Sequence, residues 1–189
     1  FIMFDPDNGK NIPENKKTEI RILYDNDAIY IGALMLDENP EKILKEITQR
    51  DSFGTSDLFG VFINGFNDGQ QDFQFFVNAA DGQADCITTD TNGEDYSWDA
   101  VWKSKAIITD KGWVVEIRIP YAALRFSSEK KQTWGLNFFR EIKRDRQKYT
   151  WNLIDSKLGT FTQQTGILEG IENIKPPTRL FLLPYSSFY

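Results

Sequence analysis

Apolar and polar residues alternate with a period of two along much of this chain, the spacing of half-buried β-strands. In Thr18–Tyr24, Ile20, Ile22 and Tyr24 fall on one side and Glu19 and Arg21 on the other. Asp25-Asn26-Asp27 predicts a turn, and Ala28–Leu36 is apolar on both faces, as in a strand covered above and below. The two form a predicted hairpin. After Asn39 and Pro40, Ile43, Leu44 and Ile47 recur at helical spacing and predict a helix of roughly two turns. Strand signals return in Leu58–Asn64 and Asp72–Asn78, joined by the turn-rich Phe66-Asn67-Asp68-Gly69, and again in the more polar Gln83–Thr89.

The clearest alternation is Trp113–Ile119, where Trp113, Val115, Ile117 and Ile119 oppose Val114, Glu116 and Arg118 until Pro120 ends the run. Tyr121–Arg125 then predicts a short turn or helical stub. Trp134–Glu141 and Tyr149–Ile154 form a late pair, separated by the charged, solvated stretch Lys143–Lys148. Some nine or ten strands with one short helix predict an all-β fold, an antiparallel two-sheet β-sandwich.

Length and charge narrow the function. The chain has 189 residues, enough for one domain with a substantial core, and carries 28 acidic against 22 basic residues, a formal charge of −6. That balance repels phosphate backbones, and no nucleic-acid partner is expected. No run of residues approaches the roughly 18 apolar positions of a membrane-spanning helix. Histidine is absent, which removes Ser-His-Asp and Cys-His nucleophiles and HExxH zinc sites. With no CxxCH either, only Met3 and Met35 remain as axial ligands, so no haem is expected. The single cysteine, Cys86, lies in strand alternation and reads as a small buried hydrophobe.

Pro176-Pro177 marks the one boundary. Residues 1–175 are read as the sandwich domain and 176–189 as a tail or the start of a following region, with Arg179–Tyr189 apolar and aromatic. The chain begins at Phe1 with neither an initiator methionine nor an apolar leader, as a piece of a longer precursor would.

Several segments carry a family resemblance. GWVVEIRIP at 112–120, YAALRF at 121–126 and TWGLNFFREIKR at 133–144 resemble the closing half of family 9 carbohydrate-binding modules. EIRILYDNDAIYIGALMLD at 19–37 is similar to that family's opening hairpin, and the likeness extends over roughly residues 17–171. A narrower resemblance is to bacterial envelope proteins in which such a module precedes an outer-membrane β-barrel. It rests on Trp98-Asp99-Ala100-Val101-Trp102 and on Leu180–Tyr185.

The resemblance implies a jelly-roll sandwich that binds oligo- or polysaccharide without catalysis, with calcium as a structural ion. It also implies a secreted, periplasmic or outer-membrane-associated protein, with a C-terminal barrel of the same precursor as a partner. In the family's best-known members a pair of tryptophans lines the ligand slot, a pair that the motifs above do not locate in this chain.

A sugar ring needs an aromatic platform with amide, carboxylate or guanidinium groups around it. Tyr96, Trp98 and Trp102, within the loop-like Gly93–Lys103 among Glu94, Asp95 and Asp99, are the candidate sugar-binding residues. The competing reading of Trp98 and Trp102 is that they cover one end of the core. Trp113 and Trp134 fall in phase with apolar neighbours and read as core, as does Trp151.

Asp85, Asp90 and Asp95 are the candidate calcium ligands, in Asx-rich turns that serve equally well simply as turns. Arg140, in an apolar strand, needs a carboxylate or carbonyl partner if it turns inward, with Glu116 and Asp99 as candidates. Two rival functions stay open. One is a structural domain attached to a barrel; the other is a glycosidase, although no pair of carboxylates stands out and no intrinsic activity is expected.

Overall fold

The computed structural model describes residues 1–177. Leu180–Tyr185 and the rest of the apolar tail lie outside the described residues. The strands are β1 (Ile2–Asp5), β2 (Thr18–Tyr24), β3 (Ala28–Leu36), β4 (Leu58–Asn64), β5 (Gln71–Asn78) and β6 (Gln83–Thr89). They continue as β7 (Gly93–Asp95), β8 (Lys103–Thr109), β9 (Gly112–Pro120), β10 (Lys131–Ile142), β11 (Gln147–Thr150) and β12 (Gly166–Glu172). All pair antiparallel, in an eight-stranded sheet ordered β1-β11-β10-β4-β5-β6-β7, with β12 also on β10, and a four-stranded sheet ordered β2-β3-β9-β8. No helix among them is long and apolar enough to cross a membrane.

The alternation read from the sequence sets the core. Ile29, Ile31, Ala33 and Met35 of β3 and Trp113, Val115, Ile117 and Ile119 of β9 face Phe59, Val61 and Ile63 of β4 and Phe73, Phe75 and Val77 of β5, all buried. Burial of this apolar surface, at roughly 25 cal/mol per Å², is the main stabilising term. Trp113 and Trp134 are fully buried, and β10, shared on one edge by β11 and β12, is the long strand that carries Trp134 inward.

Three expectations are corrected. The two-turn helix after Asn39 is instead a single 3-10 turn, Pro40–Lys42. Beyond it the backbone has other partners: Asp57 N–H donates to Leu44 O at 2.9 Å, and Glu46 N–H donates to Ser56 Oγ at 2.7 Å. Only Ile43 enters the core, and Ile47 is 92% exposed. Trp151, read as core, is 41% exposed although its N–H still pairs with Phe138 O at 2.9 Å. Its ring lies over Gly166, where a Cβ would come within 2.4 Å of it.

Arg140 does turn inward, but it pairs with neither Glu116 nor Asp99. It donates to the carbonyls of Lys16 and Leu36 (2.8 Å for the latter) and to Thr18 Oγ1 at 3.0 Å, tying the larger sheet to the smaller.

Candidate functional site

A cleft of about 700 Å³ opens at one rim of the sandwich, between the β4–β5 turn, the end of β6, and Arg125. Its size lies within the roughly 300–1,000 Å³ typical of small-molecule sites.

The turn that forms one wall is built by side-chain hydrogen bonds. Asp68 Oδ1 accepts from Asn64 Nδ2 at 3.1 Å and from Gln70 N–H at 3.0 Å, while Asn64 Oδ1 accepts from Phe66 N–H at 3.2 Å. Asn67 and Gly69 take positive φ. This Asx-type bonding spends the polar side chains on the turn and leaves the Phe66 ring 55% exposed at the cleft. Gly65 allows the opposite wall to close: a Cβ there would lie 2.1 Å from Arg125 O, and Gly65 bridges to Phe126. Gly65→Ala is therefore expected to push Arg125 outward and to lower the melting temperature by several degrees, measured by calorimetry.

Gln163 closes the third side. Its Nε2 donates to Asp90 Oδ2 at 2.8 Å, and the single Thr162 hydroxyl proton lies between the Asp90 carboxylate and Gly69 O, the latter 2.9 Å from Oγ1. Hydrogen bonds from Thr160, Thr162 and Gln163 hold the Asp90 carboxyl below the usual carboxylate range. Among the described residues, Arg125 reaches no carboxylate within 4 Å, so its guanidinium is available at the mouth. The arrangement offers one ring face, a guanidinium, amides and an ionised carboxylate around a shared opening, and so can take a polyhydroxylated ring.

Beside the cleft, Asp72 of β5 is fully buried and neither carboxylate oxygen has a partner. Burial first, then the carboxylates of Asp90 and Asp68, push it up to about 7.

The residues singled out from the sequence separate. Tyr96 is half-buried on the outer face of the larger sheet, its ring 5.9 Å from Phe53 and its hydroxyl donating to Glu94 at 2.9 Å. There it joins Phe62, Phe76, Phe139 and Phe161 around buried Cys86, whose thiol burial pushes up to about 12. Trp102 points the other way, into the core, 5.4 Å from Phe75, with its indole N–H on Asp85 Oδ1 at 3.1 Å. Trp98 is half-buried against Phe73 at 5.2 Å. Because Phe73 lines the cleft, Trp98 lies one side chain behind its floor. The three aromatics thus share no platform.

The three aspartates do not converge either. Asp85 is buried beneath Trp102, Ala100 N–H and Arg50; Asp90 belongs to the cleft; Asp95 accepts from Ser97. Among the described residues, no group of three or more acidic or cysteine side chains is placed to hold a metal ion.

Of the cleft residues, sequence reasoning singled out only Asp90, as a calcium candidate, and missed Phe66, Arg125 and Gln163. For Phe66 a signal exists, since a large ring among turn-forming Asn, Asp and Gly has no strand face to bury it. Gln163 carries none, because only the fold brings it to Asp90.

Two antiparallel sheets thus stand face to face, with an aromatic and polar cleft at their rim. The chain belongs to the carbohydrate family 9 binding domain-like family, whose sequence profile matches residues 6–157. Its fold is similar to that of a candidate carbohydrate-binding protein from Bacteroides uniformis, with TM-score 0.69, 14% identity, and 89% of this chain and 84% of that one covered.

It is also similar to a family 9 carbohydrate-binding module from Caldicellulosiruptor kristjanssonii in complex with cellotriose, with TM-score 0.55, 16% identity, and 90% and 80% covered. A complex of a family 9 module from the same organism with glucose gives TM-score 0.56, 14% identity, and 87% and 79% covered. At these identities the likeness establishes the fold. No curated protein matches the sequence significantly.

Proposed function

We propose that this module binds neutral oligo- or polysaccharide, without catalysis, in the rim cleft formed by Phe66, Arg125, Asp90 and Gln163. The carrying observation is the exposed Phe66 ring standing in an open cleft among guanidinium, amide and carboxylate groups. A pyranose would lay its C–H face on the ring and direct its hydroxyls to Arg125 and Asp90. The solved family members with cellotriose and glucose support this ligand class.

Calorimetric titration with cello- and xylo-oligosaccharides tests it. Phe66→Ala and Arg125→Ala are each expected to weaken binding by about tenfold, the equivalent of roughly 1.4 kcal/mol, while melting as the wild type does, because both side chains are exposed. A flat titration of the wild type across neutral glycans contradicts the proposal. Trp98 supplies an optical reading: its fluorescence shifts on binding, and Trp98→Phe removes the shift.

We place the module outside the cytoplasm, ahead of an outer-membrane barrel in the same precursor. That placement is supported by the Trp98–Trp102 segment and the apolar residues after Pro177. Fractionation of cells expressing the full precursor tests it, with recovery in the soluble cytoplasm as the contrary result.

A further inference from the structure

The smaller sheet has an outer face that the rim cleft does not use. Because directly paired residues share a face, the register fixes three rungs across β2, β3, β9 and β8. They are Leu23-Tyr30-Arg118-Lys103, Arg21-Gly32-Glu116-Lys105 and Glu19-Leu34-Val114-Ile107. Gly32 at the centre removes one side chain from the middle rung, and a Cβ built there meets nothing within 4 Å. The result is a trough along β3, made of two adjoining hollows of about 500 and 230 Å³ that share Arg21, Gly32 and Glu116.

The charge here runs against that of the whole chain. Four cations (Arg21, Lys103, Lys105, Arg118) face two acids, Glu19 and Glu116, on a protein of net charge −6. Lys105 is engaged by Asp81 at 2.7 Å, and Glu19 by Lys17 at 3.6 Å. Among the described residues, Arg21, Lys103 and Arg118 reach no carboxylate within 4 Å. The Arg118 guanidinium is held 5.8 Å over the Tyr30 ring, which fixes it on the trough's bank.

We propose that this trough is a second binding surface, for an extended anionic glycan whose uronate carboxylates pair with Arg21, Lys103 and Arg118 while its rings lie over Gly32. The free cations Arg21, Lys103 and Arg118 around the larger hollow select an anion, whereas the smaller hollow, where Arg21 meets Glu19 and Glu116, adds no net positive charge; the narrow floor along one strand selects a thin linear chain. The choice of a glycan among anions rests on the carbohydrate-binding reading above; the surface itself does not.

The test is affinity electrophoresis of the whole chain in gels containing polygalacturonate, with double-stranded DNA as a second polyanion. Retardation by polygalacturonate is expected, with at least a tenfold loss in Gly32→Leu, which fills the trough, and in Arg21→Glu. Gly32→Leu is expected to fold normally, since its site is an open strand position. Circular dichroism and melting check this, and Gly32→Ala, which leaves the trough open, should retain binding.

Absence of retardation overturns the proposal. So does binding that survives Gly32→Leu, which would be diffuse attraction, or equal retardation by DNA. Phe66→Ala and Arg125→Ala leave polygalacturonate retardation intact, and Gly32→Leu leaves neutral oligosaccharide titrations intact, so failure at either site is read separately.

Discussion

Asp72→Asn is expected to flatten the fall in stability that the wild type shows as pH rises from about 4 to 7. In the folded chain the Asp72 carboxyl titrates at about 7, against 3.8 when unperturbed. Below pH 3.8 it is protonated whether the chain is folded or not, and its burial carries no ionic cost. Between 3.8 and 7 the unfolded chain releases the proton and the folded chain keeps it, so unfolding gains ground as pH rises.

Above 7 the loss is complete, on the order of 4 kcal/mol, because a charge with no hydrogen-bond partner is then held out of water. Asn has the size of the protonated acid and no charge to bury. Urea denaturation should therefore give similar stabilities for the two proteins at pH 4 and a more stable Asp72→Asn at pH 8. Asp57, which burial pushes up to about 6, keeps a weaker slope of the same sign in both. Parallel pH profiles would contradict this account of Asp72.

Asp85→Ala is expected to cost about 3 kcal/mol, because the buried Asp85 carboxylate gathers the hydrogen bonds of Trp102, Ala100 and Arg50 that pin the 98–102 part of the loop to the sandwich. Its oxygens take the Trp102 indole N–H at 3.1 Å, the Ala100 N–H at 2.7 Å and the Arg50 guanidinium. Arg50 in turn donates to Asp99 Oδ1 at 3.2 Å and Ala100 O at 3.0 Å, so both sides of the loop hang on the same carboxylate. Alanine leaves a buried indole N–H and a half-buried amide without acceptors.

For a chain of this length the expected fall in melting temperature is roughly 6–12 °C, with Asp85→Asn losing much less because an amide oxygen still accepts. Trp98, behind the cleft floor, should become more accessible to a fluorescence quencher. A melting temperature within about 2 °C of wild type would remove Asp85 from this role.

Most of the sandwich was legible because its core is made by alternation within single strands. β5 and β9 reveal from their own alternation which side faces inward, whereas β3, apolar on both faces, reads as covered above and below but turns Tyr30, Gly32 and Leu34 to an open face. Readings failed where a distant segment decides the outcome. Ile43, Leu44 and Ile47 have helical spacing, but Ser56 and Asp57 take the backbone hydrogen bonds that a helix would need. Trp151 has strand phase and its N–H still donates to Phe138 O at 2.9 Å, but its ring lies over Gly166 at the rim, where nothing among the described residues covers its other side.

Arg140 was legible as an inward cation needing a partner. Its actual partners, the carbonyls of Lys16 and Leu36, belong to chain more than 100 residues away. The site divides in the same way. Asp90 and the 66–69 turn stand out locally, whereas Arg125, Gln163 and Arg50 gain their roles only through folding. Tyr96, Trp98 and Trp102 are close in sequence, yet they point to opposite faces of one sheet edge.

The most direct test of the central claim is an amide chemical-shift titration of the whole chain with a cello-oligosaccharide. The account predicts the largest changes at Phe66, Gly69, Asp90, Arg125 and Gln163, around the rim cleft. Changes centred instead on Phe53, Tyr96 and Phe161, on the outer aromatic face of the larger sheet, or no changes at all, would contradict it.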